Sequence, residues 1–91
     1  MTTRERKIGE AALQAMGKVP NLIKCVEELA ELQQALCKYL VEPSEDARDS
    51  VHEELADAGI MLNRMLLIFD AAEVEDWKDA KLEAMERRLG L

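Results

Sequence analysis

Apolar residues recur at intervals of three and four along most of this chain, and almost nowhere do they alternate singly with polar ones. Between Asn21 and Val41, Leu22, Val26, Leu29, Leu36 and Leu40 follow that spacing, with Gln33 in the one polar slot, which predicts an amphipathic helix whose stripe is a core seam. Ser50 with Glu53 three residues on has the form of a capping box and predicts the start of a further helix running to about Phe69. There, Val51, Leu55, Ala58, Leu62, Met65 and Phe69 offer a matching seam, so these two helices should pair. A mostly polar first helix is expected from Thr3 to about Met16, ending near Gly17, with Pro20 marking the break before the next. A last helix from about Val74 to Leu89 would turn Trp77, Leu82, Met85 and Leu89 inward and end at Gly90. No segment reads as a strand, an internal repeat or a low-complexity tract, so the expected fold is all-α, a four-helix bundle-like subunit formed as one domain over residues 1–91.

Each of the two central helices carries a second stripe beside the first. Cys25, Glu28, Leu32, Ala35 and Tyr39 step by three and four, and so do Glu54, Asp57, Met61, Arg64 and Ile68. These stripes contain two acidic clusters, Glu27-Glu28-Leu29-Ala30-Glu31 and Glu54-Leu55-Ala56-Asp57. Positions three apart are neighbours on one helical face, so Glu28 pairs with Glu31 and Glu54 with Asp57. If the helices pack as an antiparallel hairpin, the four carboxylates converge, and their repulsion would cost several kcal/mol unless a cation neutralises it. Hard oxygen ligands suit Mg2+, with Mn2+ as a substitute, and either ion also takes phosphate oxygens. The alternative is two solvated acidic faces, but these carboxylates sit on mixed apolar and polar faces, as expected of a cleft or a subunit interface.

Composition narrows the partners. Ninety-one residues bury a modest core, and association into a homodimer or homotetramer would help considerably. Lys and Arg number 12 against 19 Asp and Glu, a formal charge of −7, which argues against nucleic acid or an anionic membrane as the main partner. Cys25 and Cys37 fall in one predicted helix, roughly 18 Å apart along its axis at 1.5 Å per residue, too far to bridge. With one histidine and no Cys-x-x-Cys, zinc is disfavoured. The longest apolar stretch, Ala58 to Phe69, is interrupted by Asn63 and Arg64 and is too short to span a bilayer; with no signal peptide legible, the expected location is cytoplasmic.

Glu27 to Leu32, EELAEL, and Glu53 to Asp57, EELAD, resemble the EExxE and ExxD motifs of the MazG-like all-α nucleoside triphosphate pyrophosphohydrolases, a group that includes dimeric dUTPases and phosphoribosyl-ATP pyrophosphohydrolases. The resemblance spans roughly residues 9 to 89. It implies a helical fold assembled as dimers or tetramers, with Mg2+ held by Glu28, Glu31, Glu54 and Asp57. It also implies hydrolysis of a nucleoside triphosphate between its α and β phosphates, giving a monophosphate and pyrophosphate.

Other residues follow from the same comparison. Lys81 to Leu89 is similar to a segment whose basic residues face the phosphates in the family, which implies Lys81 and Arg88 as substrate contacts, the alternative being that they complement the helix C-terminus; Met85 stands where an Asn is sometimes found. Asn21 occupies a position where many relatives carry Gln, so it contacts nucleotide or caps the helix. Lys38 reaches a phosphate or pairs with Glu42. Glu27 and Glu53, beside the ligand candidates, are placed to orient the attacking water or to steady the ligating carboxylates; a solvated position and the Ser50 capping box are their plainer roles. Tyr39 and Trp77 are candidates for stacking on a base, the core being the alternative for Trp77. After Asp57 the chain reads Ala-Gly-Ile-Met-Leu-Asn and lacks the aromatic and histidine run associated with the histidine-pathway branch. A di-iron centre is disfavoured because His52 precedes Glu54 instead of following a Glu by three. The competing reading from another class is a non-catalytic helical oligomerisation module.

Overall fold

The computed structural model describes Met1–Leu91 as four α-helices with no strand: α1 (Thr3–Met16), α2 (Lys18–Val41), α3 (Glu45–Met65) and α4 (Ala71–Leu89). Each helix starts and stops for a local reason. At α1 the Thr2 hydroxyl accepts from the Glu5 amide at 3.0 Å while the Glu5 carboxylate accepts from the Thr2 amide at 2.8 Å, a reciprocal capping box. Gly17, at φ 82°, ends α1 and opens α2 in a backbone region that favours glycine. α2 then begins at Lys18, three residues before the expected start. Pro20 lies inside its first turn, where a missing N–H leaves no bond unmade, so this proline opens a helix and does not separate two.

α3 starts at Glu45, with the Ser44 hydroxyl accepting from the Ala47 amide at 3.0 Å. Ser50 and Glu53 are therefore interior, and the capping box expected of them does not form. Ser44 wins because Pro43 before it disfavours helix at the preceding residue, and because Glu45 and Asp46 then fall in the first turn, where the helix dipole favours acids. After Met65 the chain tightens through Leu66–Phe69, and Asp70 caps α4, accepting from the amides of Ala72 and Glu73 at 3.0 and 3.2 Å. Gly90, at φ 70°, closes α4 with the Leu91 amide bonded to the Glu86 carbonyl at 2.9 Å, the expected glycine stop.

α2 and α3, joined by three residues, form a helical hairpin, and α1 lies across both. α4 comes alongside none of the other three. Its apolar residues are not inward as expected: Trp77 is 62% exposed, and Leu82, Met85 and Leu89 are also exposed. The seam of the hairpin also differs from the expected one. Val26 is 67% and Leu40 78% exposed, and Leu29, Leu36, Leu55, Leu62 and Phe69 are exposed too, whereas Cys25, Glu28, Ala35, Ala58 and Met61 are buried. The two stripes of α2 are adjacent, and only one can face a single partner helix. Ala35 and Ala58 are buried and have little side chain to hold the backbones apart; α2 therefore meets α3 along its acid-bearing stripe, while the buried row of α3 runs between its two stripes, through Ala58 of the expected seam and Met61 of the acidic one. The leucine stripe is left outside.

Asn21 locks the three-helix unit. It has no exposed surface. Its side-chain amide donates to the Gly17 carbonyl at 2.7 Å and the Ala12 carbonyl at 3.3 Å, and its Oδ1 accepts from the Arg64 guanidinium at 3.4 Å. Nearby Gly9 is buried, and a Cβ there would come within 2.7 Å of the Leu67 side chain. Of the two roles expected of Asn21, it does not cap α2, whose N-cap is Gly17, and in the single chain it offers no exposed surface to a nucleotide. Asn21→Ala should therefore destabilise the fold by about 1–3 kcal/mol, since it strands buried polar partners. Urea unfolding checks this; an unchanged midpoint with weakened nucleotide binding would restore the substrate role.

Candidate metal centre

Three carboxylates meet where the acidic stripes face each other. Glu28 comes from α2, Glu54 and Asp57 from α3, and each offers one oxygen within 4.8 Å of those of the other two. In an octahedral magnesium site with bonds of about 2.1 Å adjacent ligands lie ~3.0 Å apart and opposite ones ~4.2 Å, so the three oxygens are near enough to close on one ion with small side-chain adjustments. Glu28 is only 6% exposed. Its Oε1 accepts from the Lys24 ammonium at 2.9 Å. Its Oε2 is buried with no hydrogen-bond partner, and so is Oε2 of Glu54. Buried anionic oxygens without a donor are rare in folded proteins because each forfeits its hydration. A cation among them would relieve both, so the residues present fit a divalent ion.

The electrostatics agree. The Glu54 carboxyl is held above its ordinary value of 4.5 by burial first, then by the charges of Glu31, Asp57, Glu28 and Glu53. Lys24 is pushed the other way from deprotonation: its hydrogen bond to Glu28, and then the charge of that carboxylate, raise its pKa. Because folding favours the protonated form of Glu54, this group's contribution to stability is fully present below 4.5 and is lost as pH rises through its raised value. Glu5, held below its ordinary value by the hydrogen bond of its carboxylate to the Thr2 backbone, acts oppositely, and its contribution is lost as pH falls. The difference between wild type and Glu54→Gln isolates the first effect. In metal-free buffer the Tm of wild type should fall relative to that of Glu54→Gln as pH rises above 4.5, and saturating Mg2+ should remove the gap. Parallel Tm profiles without metal would show that Glu54 is not under this repulsion.

The fourth expected ligand, Glu31, is exposed and lies outside the set of three. It remains close: with Gln34, Ala35, Lys38, Ser50 and Glu54 it lines an adjoining recess of about 380 Å3, and its charge acts on Glu54 more strongly than any other carboxylate's. Lys38 faces this recess and forms no ion pair with Glu42. Glu27 and Glu53 are exposed. Lys81 and Arg88 sit on α4, away from the acids, and the Lys81 ammonium lies 5.9 Å from the centre of the Trp77 ring. Two residues take roles not expected of them. Lys24 was detectable, being one turn before Glu28 at i,i+4; the engagement of Arg64 with Asn21, 43 residues away, had no local signal.

No family model, curated protein or solved structure matches this chain. No helix is long and apolar enough to cross a membrane. What the centre can do follows from its own chemistry.

Proposed function

We propose that this chain is a Mg2+-dependent nucleoside triphosphate pyrophosphohydrolase of the MazG-like kind, acting as a homodimer or homotetramer on an NTP or dNTP. The observation that carries this reading is the meeting of Glu28, Glu54 and Asp57 between two helices with two buried carboxylate oxygens lacking any donor, in a chain whose acids have the EExxE and ExxD spacing. Glu28, Glu54 and Asp57 would hold the ion, and Glu31 would reach it from the rim of the recess. A divalent ion there, Mg2+ or Mn2+, supplies charge neutralisation to phosphate oxygens and acidifies a bound water. Lys38 faces the same recess and offers an ammonium to a phosphate oxygen. Glu27 and Glu53, free in solvent, remain available to take a proton from the attacking water.

Assembly has its own support. The exposed stripe of Val26, Leu29, Leu36 and Leu40, with Leu55, Leu62 and Phe69 on α3 and the apolar side of α4, is far more apolar surface than a monomer usually leaves in water. Covering it with further copies would also give Lys81 and Arg88 a route to the phosphates that one chain alone does not provide.

Incubating the folded protein with a panel of normal and modified NTPs and dNTPs, with and without Mg2+, tests the reading. Pyrophosphate and monophosphate should appear from at least one nucleotide, and only with metal. The same exposed apolar faces also suit a non-catalytic oligomerisation module. That reading predicts no turnover across the panel and a Tm indifferent to Mg2+.

A further inference from the structure

Glu28 divides its two oxygens between different surroundings. Oε1 accepts from the Lys24 ammonium at 2.9 Å, whereas Oε2 is buried, has no partner, and belongs to the residue that meets Glu54 and Asp57. Lys24 is half-exposed while the Glu28 side chain is almost wholly enclosed, so the ammonium reaches the carboxylate from a more exposed position and engages Oε1, leaving Oε2 without a partner. A glutamate has three freely turning side-chain bonds, and fixing one oxygen removes most of the orientations available to the other. Carboxylates that ligate metals are themselves commonly held by a hydrogen bond, and losing that bond weakens metal binding.

We propose that Lys24 is a positioning residue for the metal centre: it clamps Oε1 of Glu28 so that Oε2 is presented to the divalent ion. The inference rests on the metal reading above and deepens it. It also makes a prediction opposite in sign to simple charge counting. Removing a positive charge beside an acidic cluster should by itself tighten binding of a cation; removing a clamp should loosen it.

The test is Mn2+ affinity without nucleotide, read from the free-ion paramagnetic resonance signal, for wild type, Lys24→Met, Lys24→Arg, Lys38→Met and Glu28→Gln, with helicity of each checked by circular dichroism. Lys24→Met replaces a half-exposed residue by another good helix former and should keep the fold. It should bind Mn2+ about ten-fold more weakly, the lower end of what loss of such a partner brings. Lys24→Arg, which keeps a donor, should recover most of that loss. Lys38→Met, which removes a positive charge near the site but no contact to Glu28, should bind as tightly as wild type or more so. A Lys24→Met protein that binds Mn2+ as well as wild type, or better, overturns the clamp, and so does an equal weakening in Lys38→Met. If wild type itself takes up no Mn2+, the metal reading falls and the clamp with it. If wild type binds, Glu28→Gln does not, and Lys24→Met is unchanged, only the clamp fails.

Discussion

Glu28→Gln should abolish Mg2+-dependent pyrophosphate release, lowering kcat/KM by at least about 10²- to 10³-fold, while leaving the helical content intact. Glutamine nearly matches glutamate in shape but carries no charge, so the change removes the anion and keeps the packing. Glu28 is the only ligand contributed by α2 to the set of three, and it is the most deeply enclosed of them. Without it α2 would offer the ion only Glu31, which stands exposed at the rim. The same substitution removes one member of a like-charged group, so in metal-free buffer its Tm should equal or exceed that of wild type, whereas with Mg2+ wild type should gain stability and the variant should not. Kinetics, circular dichroism and melting with and without Mg2+ check the three parts together. A variant that keeps turnover would place the chemistry elsewhere. One that unfolds would show Glu28 to be structural.

Leu36→Glu should break the assembly. Leu36 lies midway along the leucine stripe of α2 and is exposed in the single chain, so a charge there does little to an isolated subunit. In an oligomer it would be buried. Losing one leucine forfeits roughly 1.5–3 kcal/mol, counted once in each copy across a symmetric contact, which weakens association by a hundred-fold or more. Sedimentation should show wild type as dimer or tetramer and Leu36→Glu shifted to monomer at the same concentration, with a lower Tm because the exposed stripes of α2, α3 and α4 then lack cover. A monomeric wild type at micromolar concentration would contradict the oligomeric reading.

The sequence pattern located all four helices because their periodicity is local. Gly17 and Gly90 marked real ends, since a positive φ is where glycine is preferred over other residues. The misplaced starts of α2 and α3 arose where two signals competed: Pro20 read as a break is equally a first-turn residue, and Ser44 and Ser50 both have a cap's chemistry. The larger difference was not local at all. α2 carries two usable stripes, and nothing within one helix says that Ala35 and Ala58 will let the acidic stripe close against α3 while the leucines stay outside. For the same reason α4 has no inward side in the single chain: its leucines and Trp77 need a partner that this chain does not provide to itself. The acids were more legible. The i,i+3 spacing put Glu54 beside Asp57, and the apolar flanks brought α2 against α3, so three of the four expected ligands meet. Glu31 stands at the rim because it lies outside the buried Cys25–Glu28–Ala35 row.

Catalysis, pH behaviour and the Lys24 clamp all depend on Glu28, Glu54 and Asp57 together holding a divalent ion. Anomalous diffraction from crystals grown with Mn2+ and a non-hydrolysable triphosphate would locate such an ion. A peak is expected at about 2.1 Å from an oxygen of each of the three carboxylates, with phosphate oxygens completing the shell. Well-ordered carboxylates with no peak among them, at a concentration that saturates known magnesium sites, would contradict it.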